Sequence, residues 1–116
     1  MIGSFIAAMN NRPAIMTFSG LYSGLGASPF SVSRTVTVPA GNTGQLRFDS
    51  VSADATFEYK IGAGAYTTVT GGATITVTNG ATLEFRVTGG SGTGGSCTLY
   101  DTSNGNNATT VSLSIT

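Results

Sequence analysis

From residue 31 onward, apolar and polar positions alternate with a period of two, and clusters of Gly, Asn, Asp and Ser interrupt them at short intervals. Side chains two apart lie on the same face of a strand, so each run predicts a strand with one face against a core. Residues 31–38 give the first, with Val32, Val36 and Val38 on one face, Arg34 among them, and Pro39 at the end. An inward charge and a terminal proline both discourage edge-to-edge pairing of an edge strand. Residues 45–51 turn Leu46 and Phe48 inward, and residues 55–61 do the same with Phe57, Tyr59 and Ile61. Gly62-Ala-Gly64 predicts a hairpin into residues 65–69. Ile75 and Val77, then Asn79-Gly80, then Leu83, Phe85 and Val87 carry the signal of a two-residue type I′ hairpin. Residues 96–101 set Cys97 and Leu99 inward and Tyr100 outward, and residues 108–116 finish with Val111, Leu113 and Ile115 inward.

About eight short strands at this spacing predict an all-β fold, an immunoglobulin-like β-sandwich of about seven to eight antiparallel strands, with a jelly-roll as the alternative. No segment carries an apolar stripe at helical spacing. Residues 1–30 differ in texture: they lack clean periodicity and hold all three methionines. We therefore divide the chain into an N-terminal extended arm, 1–30, and a sandwich domain, 31–116. The arm is rich in apolar side chains and carries one charge, Arg12, whereas solvated tails are polar and charged. It is expected to pack on its own sandwich, on a second copy or on another chain. Its candidate docking residues are Phe5, Ile6, Met9, Ile15, Met16, Phe18, Leu21, Tyr22 and Phe30.

Charge changes the picture next. Only 9% of the 116 residues are charged, five basic and five acidic, for a formal net charge of zero. Arg12, Arg34, Arg47, Lys60 and Arg86 are spread singly, which argues against a nucleic-acid partner, and no run approaches the roughly 18 apolar residues of a membrane span. Near-neutrality leaves little repulsion between copies and favours self-association. The start lacks the basic n-region of a secretory signal, so a soluble chain made inside the cell is expected.

Candidate chemistry is sparse. The sequence has no histidine, which removes the commonest general base and the usual triads, and one cysteine, Cys97, placed inward as a structural thiol. Glu58 and Glu84 face outward beside Lys60 and Arg86, the arrangement of cross-strand charge pairs rather than of two carboxylates facing across a cleft. The glycine run 89–95 lacks the Lys-Ser/Thr ending of a phosphate loop, and 101–107 lacks the spacing and final glutamate of a calcium loop. The chain is expected not to be an enzyme and to take no cofactor or metal. Tyr66 and Tyr100, on outward parity, are the candidate surface contacts.

Three segments carry a resemblance: Val38-Pro-Ala-Gly-Asn-Thr-Gly44, then Tyr59-Lys-Ile-Gly-Ala-Gly-Ala-Tyr-Thr-Thr68, then Thr76-Val-Thr-Asn-Gly-Ala-Thr-Leu-Glu-Phe-Arg-Val-Thr-Gly89. Together they resemble the small immunoglobulin-like modules of virion proteins of tailed bacteriophages, over residues 36–116. The resemblance implies a repeated structural role in a virion assembled in the host cytoplasm. The expected role is a capsid cement or decoration protein whose arm binds the major capsid protein, another virion protein or copies of itself. The alternatives are a tail or fibre component, or an adhesion module binding a host glycan through Tyr66 and Tyr100.

Overall fold

The computed structural model describes residues 17–18, 22–41, 44–102 and 107–116. Among the described residues ten strands are present: β1 (Thr17–Phe18), β2 (Tyr22–Gly26), β3 (Phe30–Thr37), β4 (Gly44–Ala53), β5 (Thr56–Ile61), β6 (Thr67–Thr68), β7 (Thr74–Val77), β8 (Thr82–Thr88), β9 (Gly94–Asp101) and β10 (Asn107–Ile115). They form two five-stranded sheets, ordered β1-β3-β8-β5-β6 and β2-β10-β9-β4-β7. The runs β1-β3-β8-β5 and β4-β9-β10 follow the strand order of an immunoglobulin-like sandwich, so that topology is chosen over the jelly-roll.

Alternation places the core as read. Leu46, Phe48, Phe57, Ile75, Val77, Leu83, Phe85, Val87, Cys97, Leu99, Val111, Leu113 and Ile115 are buried between the sheets. Phe85, in the middle of β8, is the hub of the aromatic core, with ring centroids 5.0 Å from Tyr22, 5.9 Å from Phe57 and 6.1 Å from Phe48. Edge-to-face geometry, seen for Tyr22 and Phe48 against Phe85, sets positive ring edges on negative faces and adds to the burial of apolar area.

Two expectations are corrected. Asn79-Gly80 does not close a hairpin, because β7 pairs with β4 in one sheet while β8 pairs with β3 and β5 in the other. The turn is an arch between sheets: Ala81 N–H donates to the Thr78 carbonyl at 3.0 Å, and positive φ occurs at Gly80 (84°) but not at Asn79, unlike a type I′ turn. Gly80 N–H donates to Val36 O at 2.9 Å and Val38 N–H to Asn79 Oδ1 at 3.0 Å, which fastens the arch to the end of β3. The sandwich is also not wholly antiparallel. β2 runs parallel to β10, from Tyr22 opposite Val111 to Gly26 opposite Ile115.

That pairing moves the structural boundary. β1, β2 and the first residue of β3 lie within 1–30, yet they belong to the sandwich, one strand on each sheet edge and Phe30 in the third. Tyr22 is wholly buried, and its hydroxyl donates to the Leu83 carbonyl at 3.1 Å. Burial pushes its phenol well above the ordinary tyrosine range, against a smaller opposing effect of Arg34. Phe30 is half-buried and lies over β2, where a Cβ added to Gly24 would stand 2.7 Å from its ring; the sheets close there because Gly24 has no side chain.

Candidate functional site

The outer face of the β5–β8 pair gathers four of the chain's ten charged side chains. With Phe57, Tyr59 and Ile61 turned toward the core, Glu58 and Lys60 face out, and antiparallel register sets Glu58 opposite Arg86 and Lys60 opposite Glu84. Arg86 Nη2 donates to Glu58 Oε1 at 2.9 Å. The β5–β6 hairpin, with Glu58 opposite Thr68 and Tyr59 opposite Thr67, brings Tyr66 over the same face. There the Arg86 guanidinium carbon lies 3.5 Å from the Tyr66 ring centroid and Lys60 Nζ lies 4.9 Å from it, both within cation–π range. The Tyr66 hydroxyl donates to Glu84 Oε2.

Electrostatics follow from these contacts. The hydrogen bond to Glu84, helped by desolvation, holds the Tyr66 phenol above its usual value, while Arg86 pulls the other way. The bond to Glu58 favours the charged form of Arg86 and pushes its pKa up. Arg86 Nε is buried with no hydrogen-bond partner among the described residues. The expected cross-strand charge pairing is thus realised at Glu58–Arg86, and Glu84 is occupied by Tyr66. Neither carboxylate is left facing a second one across a cleft.

Tyr100 sits on the other sheet. It projects from β9 beside Arg47 of β4, whose guanidinium carbon is 5.2 Å from its ring, and Arg47 reaches Asp49 Oδ2 at 3.5 Å. The two candidate contact tyrosines therefore belong to opposite sheets and offer no common platform, and each ring already carries a cation.

The arm residues divide. Phe5, Ile6, Met9, Ile15, Met16 and Leu21 lie outside the described residues. Phe18 falls in β1 opposite Val36, Tyr22 is in the core and Phe30 packs over β2, so Tyr22 serves this chain's own sandwich. Leu25, on outward parity in β2, is the large apolar side chain left in water among the described residues, at 64% exposure.

A feature that strand patterning did not single out lies where β3 crosses to β4. Val38, Pro39, Ala40 and Gly44 meet Val77, Thr78 and Asn79 around an apolar groove of about 440 Å³. Sequence shows only a short connection between the strands at 31–38 and 45–51; the groove needs the arch and the β3–β4 crossing to meet, and local pattern does not specify that. A second, more polar depression of about 350 Å³ lies where β4, β9 and β10 meet, with Asp54, Ser96 and Ser112 among its lining. The Asp54 carboxylate there accepts from Gly94 N–H at 2.7 Å.

Cys97 is 2% exposed, and burial pushes its thiol up to about 12, so it is protonated and unreactive at neutral pH. Among the described residues no three His, Cys, Asp or Glu side chains converge on a point where a metal could sit. Fold and surface define an all-β sandwich module in which Glu58 pairs with Arg86, Asp49 with Arg47, and Glu84 with the Tyr66 hydroxyl. No protein-family model, curated protein or solved structure matches the chain.

Proposed function

We propose that this chain is a non-enzymatic structural protein of a virion, docked through the residues ahead of its sandwich and carried in many copies. The observation that carries the binding reading is the β1–β3 pairing: Thr17 lies opposite Thr37, so β1 begins at the Val38 end of the sandwich. The docking segment is then 1–16, not the whole of 1–30. Its apolar side chains would bury surface on the major capsid protein or another virion protein, and symmetry would repeat a modest contact into strong overall attachment. Internal pairing of Glu58, Arg86, Tyr66 and Glu84 supports a non-catalytic surface. The virion setting rests on the strand-and-turn resemblance over 36–116. A cement or decoration role is preferred, with a tail or fibre part as the alternative; copy number per particle separates them.

The test is removal of 1–16 in the producing host, followed by gradient sedimentation of particles. The full chain should travel with particles, and the truncated chain should stay in the soluble fraction with an unchanged circular dichroism spectrum. Unchanged occupancy of the truncated chain would refute arm docking. Removing 1–28 is not a clean version of this experiment, because it takes Tyr22 out of the core. Glycan adhesion through Tyr66 and Tyr100 is disfavoured by their separation onto opposite sheets.

A further inference from the structure

The apolar groove and the first residue of β1 lie at the same end of the sandwich. Thr17 pairs with Thr37, and the next residue of β3, Val38, lines the groove. Ladder chemistry decides what the preceding residues can do there. Backbone groups of successive strand residues point to alternate sides. Val36 and Val38 use theirs on the arch, through Ala81 O and Asn79 Oδ1, so Thr37 faces β1. Pro39, just beyond the end of β3, has no N–H, so that position offers no backbone donor to a strand alongside it.

From this geometry we infer that the groove is the receptor for the 1–16 segment of a second copy of this chain. The inference rests on the proposed docking role of that segment and names its partner. The groove's lining carries no charge, and its floor is tight: a Cβ on Gly44 would lie 2.8 Å from a Val38 methyl. Phe5, Ile6 and Met9 are apolar residues well upstream of β1 in sequence, and Arg12 is the single charged side chain among 1–16. An extended segment of that length spans on the order of 50 Å, enough to reach a neighbour. A net charge of zero puts no long-range repulsion between copies. Arm-into-groove contact uses two different surfaces, so it is head-to-tail and builds rings or filaments rather than an isolated pair.

Sedimentation velocity on full-length chains over a dilution series tests this. The unaltered chain should self-associate. Ala40→Glu, at an exposed groove position, and the triple change Phe5→Asp, Ile6→Asp, Met9→Asp should each weaken association on the order of tenfold or more. Mixed in equal amounts, the two variants should form a one-to-one complex, since one keeps an intact arm and the other an intact groove. Thr78→Glu, also exposed, replaces Ala40→Glu if the latter's thermal melt shows a damaged fold. A monomeric unaltered chain, association that survives the groove variants, or failure of the mixture to complex overturns the proposal; occupancy of the groove by the chain's own arm appears as the first of these. Loss of particle binding on removing 1–16, in a chain that remains monomeric, would leave virion docking standing while this inference fails.

Discussion

Replacing Tyr22 with alanine measures how far the early strands belong to the fold. Tyr22 is fully buried, its ring meets Phe85 at 5.0 Å and its hydroxyl binds the Leu83 carbonyl. Removing a buried large aromatic ring costs about 3–5 kcal/mol, of which the edge-to-face contact is a part. Losing the hydroxyl bond adds about 1 kcal/mol. A domain of this size has a total stability of roughly 5–15 kcal/mol, so Tyr22→Ala should remove about a quarter of it or more. Tyr22→Phe isolates the hydroxyl and should cost about 1 kcal/mol, close to 4 °C in melting temperature. Urea titration followed by circular dichroism gives both numbers. A loss below about 1 kcal/mol for Tyr22→Ala would mean that β2 is not docked as described and that the burial argument is wrong.

Two further outcomes follow from the buried titratable groups. Cys97 should resist a thiol-specific reagent at pH 8 in the native protein and react fully in denaturant; rapid native labelling would contradict its burial. Tyr22 has a folded-state pKa raised above the unfolded value of 10.0, so its contribution to stability is whole below that pH and is lost as pH rises beyond it. Ultraviolet titration should show Tyr22 ionising only together with alkaline unfolding, a step that Tyr22→Phe removes, whereas a phenolate formed at pH 10 in the folded state would refute it.

The strands from β3 to β10, the two-residue β6 aside, were legible because each has one face on the core, and a period of two reports that directly. Phe57, Tyr59 and Ile61 against Glu58 and Lys60 is such a case, and it also foretold the outward charge pair. β2 was not legible. Tyr-Ser-Gly-Leu-Gly holds two glycines that weaken any strand signal, yet Gly24 is what lets Phe30 close over it. Its partner β10 lies at the far end of the chain, and parallel pairing at that separation leaves no local mark. Asn79-Gly80 misled for a related reason: flanking alternation is the same whether the chain folds back in one sheet or crosses to the other. The choice is made by β4 and β3, which hold β7 and β8 apart. Tyr66 was placed outward correctly, but its engagement with Arg86 and Glu84 depends on the β5–β6 hairpin and could not be read from parity.

The parallel contact of β2 with β10 has a mechanical consequence. Tension drawn through the chain on either side of the sandwich would pull β2 by its Tyr22 end and β10 by its Ile115 end. These ends point in opposite directions along a shared axis. The five registered pairs would be loaded together in shear, unlike a hairpin, whose bonds peel one after another. A module stitched this way is suited to carrying force along its length.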